Sequence, residues 1–308
     1  MENFNTKEII AIVLKNKKAI IMVTILAAIA STVVSFMLKP KFKSYAVVYP
    51  VNLSPSSEES NTEQLLQFFY SEEVKKAVAE KFDLYTHYEI DTASAGAKSL
   101  FDLYFKGNVN VSPTLYESIE IVVKDESPKM AHDIAQAMID ETNLLIRNVK
   151  RERLNEYIIN SMKGLSFEMK GLDSLNRNIN ELRTNYNIID VAAQAKYLSK
   201  KMMSGSQLTE SEKALFDGIK TKNTELEKLW NAANGLQGTM NFFRDAKDKY
   251  LFDYNSEISF TNVVSKPTLP DKKFFPVRWL IVTISTLSVF ALAALYFILS
   301  NKSVRKVD

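Results

Sequence analysis

The stretch whose reading decides the fold is Ile158–Tyr186, IINSMKGLSFEMKGLDSLNRNINELRTNY. Its apolar positions are Ile158, Met162, Leu165, Met169, Leu172, Leu175, Ile179, Leu182 and Tyr186, eight steps over 28 residues at a mean of 3.5. That is the heptad period of a left-handed supercoil, not the 3.6 of a lone surface helix. Upstream, Ser127 is a good N-cap and Pro128 suits the first helical position. No strong breaker follows until Tyr186, which predicts a helix of about 59 residues, roughly 90 Å at ~1.5 Å per residue. A helix of that length needs a partner along its side.

A second series offers one. Leu215, Ile219, Lys222, Leu226, Leu229, Ala233, Leu236, Met240 and Phe243 again take eight steps over 28 residues, with Lys222 the polar intruder. Ser204-Gly205-Ser206 lies between the two series as a turn, and Thr209 with Glu212 has capping-box spacing. The simplest reading is an antiparallel hairpin with its tip near residues 190–210. Facing positions would then total about 401, with Leu165 near Leu236. Leu165, Leu172, Ile179, Leu229, Leu236 and Met240 are the expected packing residues. The chain has no Cys, so Leu165→Cys with Leu236→Cys should cross-link under mild oxidation. The alternative is that each series pairs with another subunit. Gly164 and Gly171 weaken the long helix by about 0.5–1 kcal/mol each, either for close approach of a neighbour or as tolerated weak points.

Outside this region two segments carry no charge, Ala19–Leu38 and Trp279–Leu299. Each has the length to cross a ~30 Å hydrocarbon core. Both have Lys or Arg at their flanks, and Trp279 and Tyr296 suit interfacial anchors. A cleaved signal peptide is the alternative for the first, but its apolar run is long and Lys39-Pro40-Lys41 is no cleavage site. A buried core helix is the alternative for the second. Two spans put both tails on one side. Lys and Arg are nearly balanced across the spans, and long domains cross largely regardless of charge, so the short tails are read as cytoplasmic. The chain is +3 overall; its tails hold +4 and six flanking Lys and Arg +6, so residues 44–271 carry −7. Such a body repels phosphate, which argues against nucleic-acid binding, while the basic flanks suit membrane lipids.

The remainder reads as an α/β base domain. Strands are expected at Ser44–Val51, Asn108–Val111, Ser118–Lys124 and Phe260–Ser265, with a helix over Glu63–Phe82. The fold class is therefore α+β: a membrane-proximal α/β base and a long coiled-coil-like helical protrusion, anchored by two transmembrane helices. The expected division is 1–18 tail, 19–38 first span, 39–127 base, 128–254 protrusion, 255–276 return strand and proline-rich strut, 277–299 second span, and 300–308 tail.

Sites for chemistry are scarce. There is no phosphate loop, dinucleotide fingerprint or G-x-S-x-G turn. Zero Cys and two distant histidines, His87 and His132, leave little for a metal site or triad. No catalytic residue, cofactor or metal is expected. The run Arg147, Lys150, Arg151, Arg153 suits either an anionic ligand or a solvated helix face.

Three of the eight prolines fall within ten residues before the second span, at Pro267, Pro270 and Pro276, with Arg278 following. Proline cannot join a helix ladder, so an extended strut is expected there. With the two spans, the strand Tyr45-Ala46-Val47-Val48 and the strand leading into Asp125-Glu126-Ser127-Pro128, the chain resembles the bacterial polysaccharide co-polymerases, or chain-length determinant (Wzz-type) proteins. It departs from them at Lys273, where the proline beat is broken, and in a second span without Gly. Ser285, Ser288, Ala291 and Ala294 are the small residues available there for close packing. The resemblance implies a non-enzymatic inner-membrane protein with a periplasmic domain. It also implies a homo-oligomeric ring that sets the length of a lipid-linked polysaccharide together with a glycan polymerase. Two alternatives are a membrane adaptor of a separate tyrosine kinase and a two-span sensor. The nine residues after the second span hold no nucleotide motif, so no fused kinase is expected.

Overall fold

A computed structural model describes residues 6–55 and 58–300. It divides into two units, with boundaries after Ile146 and after Ile258.

The first unit is built on an antiparallel sheet. Strand β1 (Lys41–Pro50) lies between β3 (Ile119–Asp125) and β4 (Thr261–Ser265), β2 (Val109–Pro113) flanks β3, and β5 (Lys273–Phe275) also pairs with β1. Ala46 sits opposite Ile121 and Val48 opposite Ile119. Alternation does the sorting: Ser44, Ala46, Val48 and Pro50 are buried while Tyr45, Val47 and Tyr49 are not. The buried side meets helices α3 (Asn61–Phe69), α4 (Glu72–Lys81), α5 (Leu84–His87), α6 (Ala97–Asn108) and the first turns of α7 (Pro128–Asn185). Leu65, Phe69, Val78, Phe101, Ile134 and Met138 join the strand residues in one cluster.

The expected strands are present, each with ends moved by up to three residues. The expected single helix over Glu63–Phe82 is two. Ser71 caps α4, its hydroxyl accepting the Val74 amide at 3.2 Å, so the chain turns between Phe69 and Glu72. Helix α6 was not expected. The expected start of the long helix holds: Ser127 precedes Pro128 and its hydroxyl accepts the Met130 amide at 3.3 Å.

The apolar ends form α2 (Lys17–Met37) and α10 (Arg278–Ser300), both long and apolar enough to cross a bilayer, with α1 (Thr6–Lys15) ahead of them. No residue of α10 is buried, unlike a soluble core helix. The two helices pack on each other. The packed face of α2 is Ile20, Thr24, Ala27, Ala28, Ser31 and Ser35, a run of small residues at helical spacing. Among the small residues anticipated on α10, Ser285 and Ala294 lie on its packed face, whereas Ser288 and Ala291 are exposed. Parts of the expected tails, 1–5 and 301–308, lie outside the described residues.

The second unit is a helical hairpin. It contains the rest of α7, α8 (Val191–Met203) and α9 (Glu210–Asn255). Thr209 and Glu212 make the expected capping box, with Thr209 N–H donating to Glu212 at 2.7 Å and Glu212 N–H to Thr209 at 3.3 Å. The tip is not a simple turn: α8 occupies it and docks on α9 through buried Leu198 and the Lys201–Glu212 ion pair at 2.7 Å. The register also differs. Phe243 faces Gly164 and Leu236 faces Gly171, so facing positions total about 407 rather than 401, and Leu165 is not opposite Leu236. The heptad pattern defines the seam, but the segment between the helices sets the offset. A Cβ on Gly164 would stand 2.7 Å from the Phe243 ring and one on Gly171 3.1 Å from Leu236, so both glycines mark close approach.

Candidate functional site

The functional candidates in the first unit cluster where the sheet meets the spans. The proline-rich segment is held along β1. Thr268 is the fastener: its amide donates to the Tyr45 carbonyl at 3.1 Å, its hydroxyl accepts the Tyr45 amide at 3.0 Å, and its carbonyl accepts the Ser44 hydroxyl at 2.8 Å. Pro267 and Pro276 are buried and Pro270 is half-buried. The segment expected as an extended strut is extended and also joins the sheet. Between Pro270 and Pro276 the chain forms β5, with Phe275 opposite Lys41 and Lys273 opposite Phe42. Lys273 keeps the amide that a proline would lack, so the broken proline beat is where sheet pairing begins. Arg278 then opens α10 with its guanidinium over the Phe36 ring at 4.0 Å, a cation–π contact between the two apolar helices. Lys43 and Lys124 approach Phe274 in the same way at 5.6 and 5.7 Å.

Beside this fastening lies a polar recess of about 280 Å³. Lys39 reaches Glu89 at 3.3 Å and Glu126 at 3.4 Å, and these partners raise its pKa above the ordinary lysine value. Lys41 donates to Asn108 at 2.7 Å. Asp125 is buried; one oxygen meets His87 Nε2 at 2.8 Å and the other accepts the Ser127 amide at 2.9 Å. Burial, reinforced by the Asp125 charge, pushes the Tyr88 phenol up to about 12. The recess thus pairs each cation with an acceptor and ties the ends of β1, β3 and α6 together. Its chemistry is positional. Among the described residues no group of three or more His, Asp or Glu could hold a metal ion.

In the second unit, Ile179 and Met240 are buried, and Leu165, Leu172, Leu229 and Leu236 are half-buried. Leu172, Ile179 and Leu229 share a cluster with Ile188, Leu226 and Ala233. The basic run is partly committed: Arg151 donates to the Tyr254 carbonyl at 3.1 Å and stacks over the Tyr254 ring at 5.6 Å. It therefore caps the last turn of α9 instead of forming an open anion site.

Two organising residues escaped the sequence reading. One is Thr268. The other is Asn143 on α7, whose amide donates to Thr261 at 2.6 Å and whose oxygen accepts the Phe260 amide at 2.7 Å, seating the returning strand. The position of Thr268 between two prolines was an available signal. Asn143 offered none, since its partners lie more than a hundred residues away.

Residues 2–84 match the family described as chain length determinant protein, Wzz. This stretch holds the first apolar helix, β1, α3 and α4, and it agrees with the resemblance read from the sequence. Among solved structures, a full-length bacterial polysaccharide co-polymerase is 12% identical, with 97% of this chain and 98% of that one covered at a TM-score of 0.49. The Shigella flexneri lipopolysaccharide O-antigen chain-length regulator is 11% identical over 75% of this chain and 99% of its own, at 0.33. A Wzz dodecamer is 10% identical over 75% and 98%, at 0.34. No curated protein matches the chain.

Proposed function

We propose that this chain is a non-enzymatic, two-pass inner-membrane regulator of polysaccharide chain length. The single observation that carries the proposal is the match of residues 2–84 to the chain-length determinant family. The same residues supply the first apolar helix and the central strand on which the rest of the first unit is assembled. In this reading both termini are cytoplasmic and the sheet and hairpin units are periplasmic. The protein works as a homo-oligomeric scaffold beside a glycan polymerase, on a lipid-linked polysaccharide. Exposed Phe167, Phe242 and Phe252 on the hairpin support assembly with further copies. Exposed Lys272 and Lys273 ahead of α10 suit contact with lipid headgroups.

Deleting the gene and resolving the surface polysaccharide on a gel tests the function. A broadened or shifted length distribution, restored by the intact gene, is expected; an unchanged distribution overturns it. A monomeric mass in mild detergent would overturn the scaffold part.

A further inference from the structure

The hairpin unit holds a recess of about 530 Å³ between α8, residues 188–190 and α9. It lies within the size range of small-ligand sites. Asn223, Glu227, Trp230 and Asn231 share one face of α9 along it, and Leu226 behind them is buried. Trp230 is 47% exposed. The opposite wall is shallow and small, from Val191, Ala192 and Ala195.

The wall is built and fixed. Arg183 donates to the carbonyls of Ile188 and Ile189 at 3.2 and 2.6 Å. Gln194 accepts the amides of Ile189 and Asp190 at 2.9 and 3.2 Å and donates to the Asn187 carbonyl at 3.0 Å. Asp190 accepts the Ala193 amide at 2.9 Å. Within the recess Asn223 donates to Glu227 at 2.9 Å. The Trp230 indole N–H and the Asn231 amide make no hydrogen bond among the described residues.

We propose that this recess binds a short segment of neutral glycan, with a pyranose ring stacked on Trp230. The chemistry selects this class. A sugar offers an apolar C–H face for one flat aromatic and hydroxyls around its rim. Here one indole shares the recess with the Asn223 and Asn231 amides and the Asp190 and Glu227 carboxylates, which can donate to and accept from hydroxyls. A peptide would need backbone partners or a deep apolar pocket; the backbone here is already bonded and the apolar wall is shallow. An acidic glycan would meet Asp190 and Glu227, while the Arg183 guanidinium is engaged by two carbonyls. The proposal rests on the glycan-regulator reading above and names where that protein touches its polymer.

The test uses an accident of composition. The chain has two tryptophans, Trp230 and Trp279. In the full-length protein in detergent, Trp279→Phe leaves Trp230 as the sole indole reporter. The probes are neutral oligosaccharides released by mild acid from the host's own surface polysaccharide, with oligogalacturonate as the acidic comparison. Neutral fragments are expected to shield Trp230 from acrylamide and oligogalacturonate is not. By calorimetry, Trp230→Ala should weaken binding roughly tenfold, the loss of an aromatic anchor, with helicity and oligomer mass unchanged. Trp230→Phe should retain most of the affinity. Absence of shielding by neutral fragments, shielding by the acidic probe alone, or a fall in oligomer mass for Trp230→Ala each overturns the site. Altered polysaccharide length on gene deletion without a Trp230 response refutes this site and leaves the regulator reading standing. A Trp230 response with unchanged length refutes the regulator reading instead.

Discussion

The two units bury their apolar residues in different ways. In the sheet unit, one face of β1, β2 and β3 meets several helices, and side chains from Ala46 to Phe260 join a single cluster, many of them wholly buried. In the hairpin unit only a seam is covered. Ile179, Ile188, Leu226 and Ala233 form its buried cluster, while Phe167, Phe242 and Phe252 stand at 74%, 68% and 74% exposure. A helix pair has only a narrow stripe to share, whereas a sheet offers a whole face. The sheet unit therefore carries its own stability. The hairpin keeps apolar surface in reserve, which under the proposed function further copies would cover.

Breaking that contrast requires one substitution on each side. Leu65 is fully buried in the sheet unit, and Leu65→Ala should cost about 2–5 kcal/mol in denaturant unfolding of the full chain. Phe167→Ala should leave monomer stability within about 0.5 kcal/mol, as for ordinary surface changes, yet reduce the assembled mass in detergent. Equal stability losses at the two sites would erase the distinction. The next effect belongs to Asn143→Ala, which removes the bonds to Phe260 and Thr261 in a buried setting. It should cost about 1–3 kcal/mol and loosen β4 in hydrogen exchange before β1 or β3.

What was legible in the sequence was local or periodic. Ser127-Pro128, the Thr209–Glu212 box, the two apolar helices and both heptad series need only neighbours or a repeat to be recognised. The misread elements have physical reasons. Leu65–Phe69 and Val74–Val78 each keep a four-residue step, which reads as helix on both sides, and only the five-residue step from Phe69 to Val74 marks the Tyr70–Ser71 break between two helices. Ala97, Phe101 and Phe105 recur every four residues, the spacing of the buried face of α6. The hairpin offset was illegible because α8 fills the tip, and a heptad does not record how much chain the tip consumes. At the junction the proline positions were plain, but the Thr268 bonds to Ser44 and Tyr45 are pairings over more than two hundred residues.

A smaller effect probes the seam at its tip. Hydrogen bonds from Lys201, and next from the Thr209 backbone, hold the Glu212 carboxyl down to about 2 from an ordinary 4.5. The folded form thus favours the ionised carboxylate. Its contribution is complete above the unfolded value of 4.5 and disappears as pH falls toward 2. Amide exchange in α8, measured against α9, should rise across that window. Glu212→Gln should show the looser α8 already at neutral pH, with the sheet unit unaffected. Protection of α8 that ignores pH would mean that Leu198 packing alone holds the tip.

The smallest effects come from glycine, and they separate seam from surface within one unit. Gly235 and Gly238 lie inside α9 with nothing within 4 Å of an added Cβ, so alanine there should gain about 0.5–1 kcal/mol of helix stability. Gly164 has the same helical environment, but an alanine methyl would overlap the Phe243 ring at 2.7 Å. Gly164→Ala should therefore yield less than Gly235→Ala, because the ring must swing outward and surrender its contact. Removing the obstacle should restore the difference: in a Phe243→Leu background, Gly164→Ala should recover most of the ordinary alanine gain. Thermal unfolding of the four variants decides it. Equal gains at Gly164 and Gly235 in the parent chain would mean that the helices do not approach at Gly164, and the register of the hairpin would have to be redrawn.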